Sequence, residues 1–91
     1  MLYTLYIGAN NETKEVEIDN AIETIANYYD GFTFWNANGF WKGSQEKTLI
    51  VQIETDETDE TGTLIALIKN LKEELNQDCI GLTKGNKMDF V

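Results

Sequence analysis

The stretch TLIVQIET, residues 48–55, is the clearest strand of the chain and decides how the rest is arranged. Leu49, Val51 and Ile53 alternate with other side chains, and this period of two places them together on one face of a sheet. Residues 2–7, LYTLYI, show the same alternation before a glycine. We therefore expect these two segments to be strands that share one apolar face of the same sheet.

Helical and strand patterns alternate along the rest of the chain. Apolar residues spaced by three and four predict one helix capped by Asp19 and a second capped by Thr61 or Thr63. Strand patterns at residues 32–41 and 79–83 complete the order βαββαβ. Two right-handed crossovers joined by a hairpin predict an α+β fold, a ferredoxin-like sandwich. Its four-stranded antiparallel sheet has the order 4-1-3-2, with both helices on one face.

The composition excludes several kinds of chemistry. The 91 residues carry a net charge of −9 and include no His, no Arg and a single Cys, Cys79. Without His there is no Ser-His or Cys-His pair, and one Cys forms no intrachain disulfide. A strongly acidic chain is also poorly suited to nucleic acids and anionic membranes. We therefore predict one domain, 1–91, that is not an enzyme and has no metal site, cofactor, nucleic acid partner or membrane partner.

The face of the sheet that the helices leave open is predicted to carry large uncharged side chains. Strand alternation assigns this face to Tyr6, Trp35, Ile50 and Gln52. A monomer that exposes such a patch loses solubility, whereas an oligomer buries it. We therefore predict that these four residues form the interface of a homo-oligomer.

A second set of residues is predicted to lie at one end of the sheet, where the first and second strands end. Ammonium groups neutralise phosphate, amides recognise polar edges and an indole stacks on a base. Together these groups favour a small anionic ligand with a ring. The predicted ligand-binding residues are Asn10, Asn11, Trp41, Lys42, Ser44 and Lys47.

Short motifs resemble known families. WKG at residues 41–43, followed by a polar turn and the strand at 47–55, resembles the middle of CutA proteins. GF at residues 39–40 is similar to the start of the T-loop of PII signalling proteins. A PII-like family with members in phages is similar over nearly the whole chain, through LYIG at 5–8, GFT at 31–33 and the WKG turn. The resemblance implies a ferredoxin-like subunit, a trimer formed through the sheets, and small ligands such as nucleotides in clefts between subunits.

An acidic segment precedes the second predicted helix. We predict that its carboxylates, which could attract a basic protein partner, form an interaction loop. A calcium loop is disfavoured because Ile68 stands where a bidentate acid is required. The predicted acidic interaction residues are Asp56, Glu57, Asp59 and Glu60.

These observations leave several functions open. The first is an oligomeric binding module that captures a nucleotide-like ligand at or near subunit interfaces, for example a phage sponge for a host signalling nucleotide. The alternative is an acidic inhibitor that blocks a basic nucleic-acid-binding surface of a host defence protein. The third is a structural oligomer without a ligand. Because no signal segment or long apolar run is visible, we predict a cytoplasmic protein, in the host cytoplasm if a phage encodes it.

Overall fold

The computed structural model describes residues 1–55 and 62–85, together with the backbone of residues 87–90. The two helices are α1 (Ile18–Ala26) and α2 (Thr63–Glu74). The strands are β1 (Leu2–Ile7), β2 (Thr33–Trp41), β3 (Ser44–Glu54), β4 (Gly81–Lys84) and β5 (Lys87–Phe90). They form one sheet of order β2-β3-β1-β4-β5 in which every neighbouring pair is antiparallel. The predicted ferredoxin-like order 4-1-3-2 is confirmed, and β5 extends the sheet beyond β4.

One face of the sheet and both helices enclose the hydrophobic core. In register, Leu5 of β1 lies between Val51 of β3 and Leu82 of β4, and all three side chains are fully buried. The apolar faces of α1 and α2 pack against this row, as the predicted alternation requires. The core residues are Tyr3, Leu5, Ile7, Ala21, Ile25, Leu49, Val51, Ile53, Leu64, Leu67, Ile68, Leu71, Leu75, Ile80 and Leu82.

The helix starts differ from the predicted ones. Glu17 occupies the N-cap of α1, and Asp19 lies inside the first turn, where its charge still interacts favourably with the helix dipole. Gly62 occupies the N-cap of α2 with a φ of 76°, a left-handed conformation that glycine adopts without steric cost. Thr63 is instead the first residue of that helix, and Thr61 lies outside the described residues.

The hairpin between β2 and β3 is longer than predicted. β3 begins at Ser44, because Lys42 and Gly43 both adopt positive φ angles, 50° and 81°. Two consecutive positive φ angles are typical of a type I′ turn, which closes a hairpin with only two loop residues. The polar residues before Thr48 therefore continue the strand instead of forming a loop.

The outer part of this hairpin projects beyond the rest of the sheet. β2 and β3 pair from Thr33 opposite Gln52 to Trp41 opposite Ser44, whereas β1 pairs with β3 only from Leu49 onwards. Five residues of β3 therefore extend past β1 by about 17 Å at the usual strand rise. We call residues 37–48 the hairpin arm. Neither helix in the part of the chain that the structure describes has the length and apolar character needed to cross a membrane.

Candidate functional site

The open face of the sheet brings three large side chains into one row. Trp35 of β2 lies opposite Ile50 of β3, and Ile50 lies opposite Tyr6 of β1. Trp35 is 43% exposed, but Ile50 between its two aromatic neighbours is only 8% exposed. The row therefore consists of two aromatic side chains with a largely buried aliphatic side chain between them.

A second row of polar side chains runs beside the first. Gln52 lies between Thr4 and Thr33 in register, and Thr4 also lies opposite Thr83 of β4. The Thr83 hydroxyl lies 3.4 Å from the Tyr6 hydroxyl and donates a hydrogen bond to it. The predicted interface residues Tyr6, Trp35, Ile50 and Gln52 are thus neighbours on one continuous surface. The prediction that this surface forms an oligomer interface stays a prediction.

Among the residues that the structure describes, none at the centre of the open face is charged, although the whole chain carries a net charge of −9. The charged residues of β1 to β4 on this face, Glu46 and Glu54, lie towards its two ends. Aromatic, amide and hydroxyl groups without charges suit a flat ring system that needs few directional contacts. The central positions are Thr4, Tyr6, Thr33, Trp35, Ala37, Thr48, Ile50, Gln52, Gly81 and Thr83.

The predicted ligand-binding residues divide between two regions. Trp41, Lys42 and Ser44 lie at the tip of the hairpin arm, and Lys47 lies further along it, opposite Asn38. Trp41 is 63% exposed, and the Lys42 ammonium lies 5.7 Å from the centre of its ring. This geometry is a cation–π contact on an exposed surface. The tip can therefore present an indole and a positive charge together.

Asn10 lies in the loop after β1 and already has partners there. Its side-chain oxygen accepts hydrogen bonds from the backbone N–H groups of Glu12 and Thr13. Its amide group donates to a carboxylate oxygen of Glu17 at 2.9 Å. Asn10 therefore shapes the loop before α1, whereas Asn11 is exposed beside it.

The surroundings of this loop are acidic. An open depression of about 550 Å³ lies before and along the start of α1, and its lining includes Glu15, Glu17 and Asp19. Carboxylates at this position repel a phosphate, because like charges destabilise each other at short range. The Asn10 half of the predicted site thus lies in a region that disfavours an anionic ligand. Asp56, Glu57, Asp59 and Glu60 of the predicted interaction loop lie outside the described residues.

Two exposed or polar groups were not among the predicted site residues. Phe40 is 75% exposed in the hairpin arm, next to Trp41. It lies within the predicted strand 32–41, but side chains of that strand were assigned to the two faces of the sheet only as far as Trp35. Thr83 was missed because its hydrogen bond to Tyr6 depends on the register of β4 with β1.

The comparisons with known proteins connect this fold to an enzyme. Neither a protein-family model nor a curated protein matches the chain. Among solved structures, a phage SAM lyase in the apo state is 17% identical, with a TM-score of 0.72 over 99% of this chain and 86% of that one. A phage SAM lyase in complex with S-methyl-5′-thioadenosine is 14% identical, with a TM-score of 0.62 over 99% of this chain and 87% of that one.

A CutA1 protein from Pyrococcus horikoshii is 14% identical, with a TM-score of 0.49 over 98% of this chain and 82% of that one. The predicted resemblance to phage proteins is confirmed at the level of the fold by the two phage SAM lyase structures.

The prediction that the chain is not an enzyme is wrong. It rested on the missing His and Cys pairs, yet the solved structures that share this fold include a lyase. Nucleophile pairs are the signature of acyl transfer and related reactions, and their absence does not bear on cleavage of a bond that is already activated in the substrate.

Proposed function

We propose that this chain is a lyase that cleaves an adenosine-bearing sulfonium compound of the S-adenosylmethionine type. The observation that carries the proposal is the aromatic, uncharged set of described residues at the centre of the open face. There, Trp35 of β2 and Tyr6 of β1 lie on either side of Ile50 of β3. The phage SAM lyases that share the fold supply the substrate class. Fold alone does not determine function, so the chemistry of this face has to fit the substrate.

The charge of the protein favours such a substrate over a nucleotide. S-adenosylmethionine carries a sulfonium and an ammonium against one carboxylate, and is therefore a net cation. A protein with a net charge of −9 attracts a cation and repels the phosphates of a nucleotide. The rings of Trp35 and Tyr6 can also contact a sulfonium through their negative faces.

The two rows of the open face fit an adenine ring. Base stacking on an indole is tolerant of geometry and contributes about 1–3 kcal/mol. Gln52 lies diagonally across from Trp35, because Thr33 is its direct neighbour on β2. Diagonal neighbours on adjacent strands lie about 7–8 Å apart, so an adenine stacked on Trp35 comes within reach of the Gln52 amide. An amide pairs with the donor and acceptor edge of adenine.

The reaction needs little from the protein. When the carbon–sulfur bond of the amino-acid side chain breaks, its electron pair passes to the positive sulfur, which leaves as the neutral thioether S-methyl-5′-thioadenosine. In one route, a base removes a proton from the neighbouring carbon, and a double bond forms between the two carbons. In the other route, the carboxylate oxygen of the same substrate forms a bond to the carbon that the sulfur leaves. Both routes depend mainly on orientation and desolvation. A chain without His therefore retains enough chemistry for this step.

The proposal places the substrate where the open face of one copy meets another copy. Burial of Tyr6, Trp35, Ile50 and Gln52 between copies would exclude water from the substrate and cover the aromatic row. The predicted trimer is one arrangement with this property. The open face of a lone chain leaves one side of the substrate in water, so activity should rise with the fraction of assembled protein.

The test is to incubate the purified chain with S-adenosylmethionine and follow S-methyl-5′-thioadenosine by mass spectrometry. We expect formation of this thioether, and the co-product distinguishes the routes: an unsaturated amino acid for proton loss, a lactone for ring closure. Trp35→Ala should lower kcat/KM by about tenfold, the value of one lost stacking contact. No thioether at high enzyme concentration, with the assembled protein present, contradicts the proposal.

Phe34→Ala is the matched control for Trp35→Ala. Phe34 is the next residue of the same strand and is similarly exposed, at 45%, but it lies on the helix side of the sheet. Its loss removes an exposed aromatic ring from the same strand without touching the proposed substrate. If Phe34→Ala reduces kcat/KM as strongly as Trp35→Ala, the effect comes from the strand and not from the open face.

The hairpin tip supports a second candidate, capture of an anionic nucleotide. The Lys42 ammonium beside the Trp41 ring offers a charge for a phosphate and a surface for a base. A nucleotide panel in a thermal-shift assay tests it, because a ligand that binds only the folded state raises the melting temperature. A shift that persists in Lys42→Ala and Trp41→Ala would rule out this position. The inhibitor alternative depends on the acidic segment outside the described residues.

A further inference from the structure

β2 is the outermost strand on one side of the sheet. In the order β2-β3-β1-β4-β5 its inner edge pairs with β3, and no strand of the described ranges 1–55, 62–85 and 87–90 lies along its outer edge. An outer edge presents a row of backbone N–H and C=O groups that can pair with another strand.

This edge lacks the devices that usually prevent such pairing. The nine residues of β2 read TFWNANGFW and contain neither a charge nor a proline, in a chain of which 25% is charged. Most of these side chains are exposed, including Phe34 and Phe40. Long, uncharged and aromatic edge strands pair with other chains unless something covers them.

We propose that β2 pairs in antiparallel register with β2 of a second copy of this chain, with Ala37 of each copy at the two-fold axis. The sequence of the strand is complementary to itself in this register. Phe34 meets Phe40 of the partner copy, and Asn36 meets Asn38. Because the interface is two-fold symmetric, each of these pairs occurs twice. The proposal does not depend on the enzymatic function.

Side-chain chemistry supports the register on both faces of the sheet. The Phe34–Phe40 and Asn36–Asn38 pairs lie on the helix side, where aromatic and amide pairs across antiparallel strands are favourable. On the open face, Trp35 meets Gly39, which lacks a side chain and leaves room for the indole. A shift of the register by one residue pairs Phe34 with Gly39 or Trp41 and removes the match between the two asparagines.

Electrostatics also favours this edge for contact between copies. Two chains that each carry a net charge of −9 repel each other wherever their carboxylates approach. β2 brings no carboxylate to the contact. The edge and the centre of the open face are different surfaces, so pairing through β2 leaves Tyr6 and Ile50 available for contacts of the open face.

Disulfide cross-linking tests the register directly. In a Cys79→Ser background, which removes the exposed native cysteine, Ala37→Cys places two thiols opposite each other at the axis. Paired Cα atoms of antiparallel strands lie about 4.5–5.5 Å apart, within the range of a disulfide. With diamide as the oxidant, we expect a band of twice the 10.4 kDa chain mass on a non-reducing gel.

The matched control is Asn38→Cys in the same background. Its counterpart in the proposed register is Asn36, so Asn38→Cys alone should give little cross-linking. An equimolar mixture of Asn36→Cys and Asn38→Cys chains should give the doubled band. Both asparagines are exposed, so these variants remain informative even if Ala37→Cys fails to fold.

The outcomes separate this proposal from other assemblies. Cross-linking of Ala37→Cys and of the mixture, but not of Asn38→Cys alone, supports the two-fold register. Equal cross-linking of Asn38→Cys alone and of the mixture would overturn it, as would absence of the doubled band in every arm. Pairing of β2 with β5 of another copy predicts that absence, and lyase activity in the same samples is an independent readout.

Discussion

The two faces of the sheet share every strand but differ in what covers them. On the helix side, Leu5 and its neighbours Val51 and Leu82 are fully buried. On the open face, the next residue of the same strand, Tyr6, lies in a row with Ile50 and the half-exposed Trp35. The strand alternation that builds the core therefore also builds a second apolar surface. The first face accounts for the stability of a single chain, and the second is available for contacts with other molecules.

The largest expected effect comes from the covered face. Leu5→Ala removes a fully buried side chain at the centre of the core, between β3 and β4. We expect the free energy of unfolding to fall by about 3–4 kcal/mol, since a leucine truncation in a core loses transfer energy and leaves a cavity. Urea denaturation followed by circular dichroism measures this change.

Leu2→Ala is the control for this prediction, because Leu2 belongs to the same strand but is exposed. It should change the free energy of unfolding by less than about 1 kcal/mol. Equal losses in the two variants would mean that the core is not centred on β1, and the contrast between the two faces would fail.

A smaller effect is expected from Ile50→Ala on the open face. Ile50 is only 8% exposed although it lies on the face opposite the two described helices, and its direct neighbours in the sheet are Trp35 and Tyr6. Water can fill the space that the truncation opens, and we expect a loss of about 2 kcal/mol, at the low end for buried aliphatic residues. The same denaturation assay at several protein concentrations measures it.

The concentration series makes this prediction sharper. If the open face packs against other copies, the loss for Ile50→Ala should grow with protein concentration, because assembly stabilises the folded wild type more than a variant with a weakened interface. A loss as large as that of Leu5→Ala at the lowest concentration would mean that the open face stabilises the single chain as much as the core does.

The strand order and the assignment of the faces could be predicted from the sequence, because both follow from local patterns. Alternation in residues 2–7 and 48–55 separated Leu5 from Tyr6 and Val51 from Ile50. The connections between these strands allowed few topologies. This part of the fold needs no information about distant contacts.

The hairpin arm could not be predicted in the same way. Residues 44–47, SQEK, are polar on both sides, and a strand without a buried face has no alternation to detect. The turn at Lys42 and Gly43 was hidden as well, because a lysine seldom adopts a positive φ. The predicted ligand site combined the arm with the loop of Asn10 because both follow strands that end at one side of the sheet. The length of the arm and the carboxylate partner of Asn10 became visible only in the structure.

A weaker effect is expected from Tyr6→Phe, which removes one hydroxyl from the open face. The hydrogen bond from Thr83 is long, at 3.4 Å, and partly exposed. We expect a loss of about 0.5 kcal/mol in the free energy of unfolding, at the low end for a neutral hydrogen bond. A loss above about 2 kcal/mol would indicate that this hydrogen bond is buried, and thus a face that is closed in the single chain. Thr83→Val in the same assay tests the other partner of the bond.

An effect no larger than this is expected from Trp41→Ala, at the exposed tip of the hairpin arm. Trp41 is 63% exposed, and its ring is in cation–π contact with the ammonium of the adjacent Lys42. Loss of an exposed cation–π contact contributes about 0.5 kcal/mol, so the melting temperature at low protein concentration should change little. At high concentration the wild type and the variant should still coincide if the centre of the open face and residues 34–40 of β2 mediate assembly. A concentration-dependent gap between them would instead show that the tip contacts another copy, and would extend the contrast between covered and open surfaces from the sheet to the arm.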